Sequence, residues 1–318
     1  MHDPETNAPR PVTPSFPFGK TLARWMDRRL PAWLLAPTGL LLVGIFLFPL
    51  LWSLGLSFYR YSALRPREPK LIWTKHYGSL LTDPDIWSRF ATTGIFVVGT
   101  VGLQFVLGVA LAFLLHKEFR GRKVVLSLLL APMMMAPVAA GAFFKFIYDP
   151  TFGVLGFFTN ALFGFQVSWL EKPFPAMVAV ILTDTWMWSP FVMLLVLSGL
   201  LAVPKHLLEM AEIDRAGWWL TFRNVLLPQI KPLLMLAVLL RTMEAFKLFD
   251  TIWIMTQGGP GTATETLSVA LYRLGFQYFK TGKASALAYL MLIVVIVLSN
   301  FYLRVATRDV NAAHEEGS

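Results

Sequence analysis

Asp184, Trp186 and Trp188 stand inside an apolar run from about Ala176 to Leu201. An ionisable side chain is costly there unless it has a partner or a task. A carboxylate beside aromatic faces suits a polyhydroxylated ligand, because the acid accepts hydroxyl hydrogen bonds while the rings cover the C–H faces. The alternative is an acid paired within a helix bundle beside packing tryptophans, and both readings stand at this point. At 1.5 Å per residue Asp184 lies about 12 Å into the run, and the two tryptophans lie deeper than the interfacial belt such residues favour. A second run, from Pro232 to Thr256, carries Arg241, Glu244, Lys247 and Asp250 three residues apart. Neighbours of opposite sign at this spacing can pair along a helix, which lets a polar stripe line a wet cavity. Successive members drift by about 60° around a 3.6-residue helix, so they cannot all face one point. Glu244, near mid-run, is the leading candidate for a translocation path, with Phe249 and Asp250 following it. Lys145 can snorkel to an interface and is assigned to structure.

None of these groups composes a catalytic set. Gly275 and the Gly282-Lys283 pair have the wrong spacing for a phosphate-binding GxxxxGK[ST] loop, and Ala284 stands where the hydroxyl is needed. His2, His76, His116, His206 and His314 are scattered without metal-ligand spacing, and with no cysteines there is neither a thiolate site nor a disulfide. No cofactor is therefore expected in this chain.

The elements that must hold these residues are membrane spans. Of 318 residues 56% are hydrophobic, against roughly 45–50% in soluble domains, and the mean hydropathy is +0.58. The excess falls in continuous blocks long enough to cross a bilayer, which needs about 20 apolar residues. Continuous rather than alternating blocks mean helices, not a barrel. Six spans are expected: Ala32–Phe58, Phe90–Leu115, Val124–Ile147, Ala176–Leu201, Pro232–Thr256 and Ala284–Leu303. The net charge of +9 invites nucleic acid, but the basic residues flank the spans, so no nucleic-acid partner is expected. Placing both termini in the cytoplasm puts Arg24, Arg28, Lys117, Arg122, Lys205 and Arg223 inside, as the positive-inside rule requires. The first connection, with Arg60, Arg65, Arg67 and Lys70, runs against it. No cleavable signal is read at the N-terminus. Residues 1–30 read as a disordered tail with a short basic interfacial helix at Phe18–Leu30. Residues 31–88 read as the first span and its outer loop, 89–304 as the transport domain, and 305–318 as a cytoplasmic tail.

The connection from Pro204 to Pro228 is more structured than a connection needs to be. Leu207, Leu208, Ala211, Trp218, Phe222 and Leu226 recur at spacings of three and four, leaving Glu209, Glu212, Asp214 and Arg223 on other faces. Gly217 permits a turn part way, and Pro228 and Pro232 punctuate the approach to the next span. A helix–turn–helix with one apolar and one acidic face is shaped for docking.

This segment resembles the EAA loop of binding-protein-dependent ABC transporter permeases, written roughly EAAxxDGA, a Phe, then IxLP. Glu209, Ala211, Asp214, Ala216, Phe222, Leu227 and Pro228 match, with Met210 for the first alanine and Val225 for the isoleucine. Arg215 occupies the family's usual glycine, and Gly217 is expected to supply the turn instead. A second stretch, Ala245–Ser268, resembles the carbohydrate branch through Phe246, Phe249, Asp250, Thr256, Gly258, Gly259 and Pro260, and Gly282–Met291 resembles its approach to the last span. The likeness covers roughly residues 89–304.

The resemblance implies an all-α membrane protein with six transmembrane helices and the type I importer permease fold, in a bacterial cytoplasmic membrane. It implies a second homologous permease, two ATPase subunits that bind ATP and Mg, and an extracytoplasmic solute-binding protein. On that frame Glu209 anchors the loop in an ATPase cleft and the apolar residues fill it. The implied cargo is a sugar, oligosaccharide or polyol, with a phosphorylated polyol open because Arg241 or Lys247 could answer a phosphate. An ion-coupled secondary transporter is the rival and leaves the acidic loop unexplained. A membrane-bound enzyme would need a carboxylate or metal cluster that the sequence lacks.

Overall fold

The computed structural model describes residues 34–66, 69–164 and 167–315. The expected tail at 1–30, with its basic helix, lies outside them. The chain divides into two units, Met1–Gly55 and Leu56–Ser318. The first contains most of helix α1, Leu34–Ser57, whose apolar side chains are exposed from Leu34 to Trp52. Exposure of that kind suits lipid, not water.

In the second unit a short antiparallel pair, β1 (Tyr59–Arg60) and β2 (Lys70–Leu71), precedes helix α2 (Lys75–Leu81). Asp83 then caps helix α3, Pro84–His116, by accepting a hydrogen bond from the Asp85 N–H, and Pro84 fits the first turn. The expected third span is not one helix. Pro132 and Pro137 cannot donate to the ladder, so α4 (Arg122–Leu130) gives way to a 3₁₀ turn, Pro132–Met134. Ala136, restricted by the proline after it, is extended before α5 (Pro137–Ile147). Helix α6, Val154–Phe163, follows as a short apolar piece.

Helix α7, Pro173–Ala202, is the central element; 61% of its apolar window is buried, more than in any other span-length helix described. Pro190 is accommodated within it. Close approach is possible because α3 and α7 meet at a residue without a side chain: a Cβ on Gly108 would sit 2.6 Å from the Val192 Cβ. Helix α8 (Lys205–Ile213) leads through a tight turn to α9, Trp218–Phe246, which absorbs a π-helical turn at Phe222–Leu226. The expected fifth span therefore differs at both ends. Pro228 and Pro232 lie within its helix rather than before it, where the π turn at Phe222–Leu226 shifts the hydrogen-bond register just ahead of Pro228. At its other end the helix stops at Phe246, and α10 (Asp250–Thr256) restarts with Asp250 at its positive end. A turn, α11 (Leu267–Tyr272) and a further π turn lead to α12, Thr281–Glu315. Five described helices are long and apolar enough to cross a membrane, and Pro137–Ile147 is a shorter apolar helix. The backbone of the expected tail continues α12 as far as Glu315.

Two apolar clusters fill the unit. One joins Phe96, Val101, Val180, Phe246, Ile252 and Leu287. The other joins Leu115, Val192, Val196, Leu200, Leu226 and Ile230, toward α8.

Candidate functional site

Along α3, α7 and α9, the polar residues fall between the two apolar clusters. Asp184 is 1% exposed and Arg241 2% exposed. Arg241 Nη2 donates to Asp184 Oδ2 at 3.0 Å, and its Nε donates to Gln104 Oε1 at 2.8 Å. Gln104 Nε2 turns back on Asp184 Oδ2 at 2.8 Å, and the Thr100 hydroxyl donates to the same oxygen at 2.6 Å. Trp188 caps the guanidinium, whose carbon lies 4.8 Å from the ring centroid. Three helices are thus tied by one buried knot. A buried charge survives only when paired and hydrogen-bonded, and this arrangement supplies both.

The structure separates the three residues first considered together. Asp184 points inward and is committed to Arg241, so the paired-acid alternative describes its surroundings. Trp188 serves the same knot. Trp186, at 37% exposure, faces the other way, edge-on to Phe144 at 5.0 Å. The charge ladder also divides. Arg241 turns into the bundle, whereas Glu244 and Lys247 pair with each other at 2.9 Å with side chains 55% and 62% exposed. Asp250 lies beyond the helix break and is exposed. Beside it Phe249 stacks on Trp253 at 5.6 Å, and Tyr272 meets both rings at 4.9 and 4.7 Å.

Sequence reasoning missed Thr100 and Gln104; polar side chains four apart in an apolar span were the available signal. It also missed a second bracing point at the opposite end from α8. Buried Glu265 receives Arg89 Nε and Arg273 Nη1, each at 2.8 Å, and Arg273 also donates to the Gln257 carbonyl. Together with the Thr256–Thr264 hydroxyl contact at 2.6 Å, these bonds hold the turn over Gln257–Thr266. Among the described residues no group of three or more His, Asp or Glu side chains is placed to hold a metal.

The connection from Pro204 to Pro228 forms as a helix, a turn and a helix. Ala211 and Leu226 are buried, Leu208 and Phe222 pack against the second apolar cluster, and Val225 and Leu227 are half-buried. Phe222 stacks on Trp218 at 5.6 Å and lies edge-on to Phe113. Glu209, Glu212 and Asp214 are exposed, as are Met210, Ile213 and Pro228, Ile213 at 80%. Two cavities flank α8, one of about 710 Å³ lined by Phe113, His116, Leu208 and Trp218, the other of about 280 Å³ lined by Met210, Asp214, Ala216 and Val225. The loop is therefore lightly packed on its own chain.

The turn itself corrects an expectation. Gly217, assigned the turn above, has φ −63° and ψ 157°, which any residue adopts. Arg215 is the left-handed residue, at φ 50°. Its N–H donates to Glu212 O at 3.0 Å and the Ala216 N–H to Ala211 O at 2.9 Å. These are the two bonds of the Schellman helix stop, whose left-handed position glycine favours. The family's glycine fits this conformation without strain, whereas an L-residue there costs about 1–2 kcal/mol.

Comparison with known proteins matches residues 104–311 to the family described as binding-protein-dependent transport system inner membrane component. The chain is 31% identical over 287 residues to the trehalose transport system permease protein SugA of Mycobacterium tuberculosis, covering 90% of this chain and 92% of that protein. It is 29% identical over 285 residues to the trehalose/maltose permease protein MalF of Thermococcus litoralis, covering 89% and 95%. It is also 32% identical over 298 residues to the sulfoquinovosyl glycerol permease protein SmoG of Agrobacterium fabrum, covering 91% and 96%. A bacterial alginate ABC transporter, solved with an alginate-pentasaccharide-bound periplasmic protein, shares the fold at a TM-score of 0.78 and 19% identity, covering 90% and 96%. The family match takes in Gln104, Asp184 and Arg241 as well as the whole turn about Arg215, so the chain belongs to the binding-protein-dependent transport system inner membrane components, the membrane-spanning permease subunits of ABC importers.

Proposed function

We propose that this chain forms one half of the translocation pathway of an importer for a sugar, oligosaccharide or polyol, with both termini in the cytoplasm. The observation that carries the cargo class is the near full-length likeness to relatives named for trehalose and maltose transport. The partners in this reading are a second homologous permease, two ATPase subunits and an extracytoplasmic solute-binding protein. ATP and Mg belong to the ATPases. The exposed, lightly packed α8 supports its reading as the coupling helix: Glu209, Asp214, Met210 and Ile213 face outward for a partner, while Ala211, Leu227 and the Phe222 ring hold it to the bundle.

The path in this reading runs by Glu244, Phe249 and Asp250, with Trp186 at its margin and the Asp184–Arg241–Trp188 knot bracing it from behind. An exposed ion pair in an apolar helix needs water or a partner chain beside it, which favours a wet interface between the two permeases at Glu244 and Lys247. The aromatic group of Phe249, Trp253 and Tyr272 supplies flat apolar faces of the sort sugar C–H surfaces cover. Arg241 is occupied by Asp184, which removes one of the two cations that a phosphorylated cargo would have used.

The test is reconstitution in vesicles with the partner permease, ATPases and binding protein. Uptake of a labelled α-linked disaccharide should require ATP and continue after the membrane potential is collapsed. Uptake that follows the potential without ATPases would overturn the reading. Within it, Glu244→Gln should change uptake or solute-stimulated ATP hydrolysis roughly tenfold, about the loss of one charge-assisted hydrogen bond. An unchanged rate and solute profile would leave Glu244 as nothing more than a counter-charge for Lys247.

A further inference from the structure

Arg215 carries a side chain that its role as a helix stop does not require. It holds the left-handed conformation that glycine would occupy without strain. Its side chain is exposed at the tip of the α8 turn. Although Glu209, Glu212 and Asp214 are all within six residues, it makes no ion pair with any of them among the described residues. The Schellman bonds of Ala216 and of Arg215 itself use only backbone atoms, so the guanidinium contributes nothing to the turn. Its neighbours on the tip, Met210 and Ile213, are exposed apolar side chains that a partner would cover.

We infer that Arg215 is a partner-selecting contact: its guanidinium pairs with a carboxylate on the wall of the ATPase cleft that receives α8. The inference rests on the coupling role proposed above and adds a specific chemistry to it. An otherwise acidic tip recruits basic groups; one cation among three acids demands an acid at one defined place on the partner. Guanidinium and carboxylate meet in a planar, two-bond geometry that fixes orientation as well as energy. Beside the apolar contacts of Met210 and Ile213 the pair is shielded from water, where a mismatched partner leaves Arg215 desolvated and unpaired. Such a mismatch discriminates between ATPases more strongly than the matched pair adds affinity.

The experiment measures the affinity of the chain's own ATPase subunits for the purified permease pair in lipid nanodiscs, over a range of ionic strength. Arg215→Gly removes charge and strain, Arg215→Gln removes the charge while keeping a side chain in the strained position, and Arg215→Lys keeps the charge. The expected result is a roughly tenfold weaker association for the Gly and Gln variants that largely persists from low to high salt, because a pair shielded from water is screened far less than an exposed one. Arg215→Lys should retain part of the affinity, and thermal melting of Arg215→Gly should be no lower than wild type. Wild-type affinity and salt dependence in Arg215→Gln would overturn the inference. So would an affinity loss that follows the phosphatidylglycerol content of the nanodisc, which would assign the guanidinium to lipid. A wild-type permease that fails to bind the ATPases at any salt would instead remove the coupling reading itself.

Discussion

Glu209→Ala should leave the protein inserted and folded, weaken its association with the ATPase subunits, and abolish ATP-driven uptake. Glu209 is exposed on α8 and has no ion-pair partner among the described residues, so its removal leaves nothing unsatisfied within this chain. Thermal melting should therefore shift by no more than an ordinary surface substitution, within about 0.5 kcal/mol. On the coupling role proposed above, the same carboxylate is enclosed by the ATPase cleft in the assembled transporter. Truncating one partner of a buried charge pair at an interface costs about 2–5 kcal/mol, or roughly 30-fold to several thousand-fold in affinity. The effect on transport exceeds the effect on binding, because a helix that still docks but slips in its cleft transmits no movement. Co-purification of the ATPases and uptake into vesicles measure the two consequences separately. Normal uptake with Glu209→Ala would remove this residue from the coupling contact.

The second large effect is on the fold. Asp184→Asn should destabilise the transport unit by about 3–5 kcal/mol, the usual cost of breaking a buried ion pair by removing one charge. Among the described residues the other nearby or buried acids are committed elsewhere: Glu244, one turn on, is exposed and paired with Lys247, and buried Glu265 is held by Arg89 and Arg273. The amide can still accept a hydrogen bond, but the guanidinium remains buried against Trp188 with its charge uncompensated. Replacing both charges together, Asp184→Leu with Arg241→Met, should recover most of the lost stability, since a well-packed apolar pair of similar volume often equals or exceeds a buried ion pair. Melting followed by tryptophan fluorescence in detergent distinguishes the cases. A single variant as stable as wild type would mean that the knot contributes little to holding α3, α7 and α9 together.

The features legible in the sequence are those carried by neighbours along the chain. The acids and apolar residues of α8 fall at helical spacing within a few residues of each other, so the loop's two faces could be read without knowing what packed against them. Pro132 and Pro137 announced an interruption through the absence of their own N–H groups, although not that the span would divide into α4, a 3₁₀ turn and α5. The break between Phe246 and Asp250 carried no such mark, because no proline or glycine stands there. The knot was illegible for a different reason: Gln104 lies 80 residues from Asp184 and 137 from Arg241. Spacing within one helix says nothing about a partner on another.

Composition and local pattern by themselves determined that this chain is a helical membrane protein with an amphipathic helix–turn–helix between Pro204 and Pro228, since hydrophobic length and helical period are properties of contiguous residues. Tertiary structure alone decided what the charged residues do. It turned Arg241 inward to Asp184 and left Glu244 outside, because the burial of a side chain depends on which helices close around it. The left-handed turn at Arg215 rather than Gly217 is local by contrast, because the stop of α8 is set by backbone bonds that reach only from Arg215 to Glu212 and from Ala216 to Ala211.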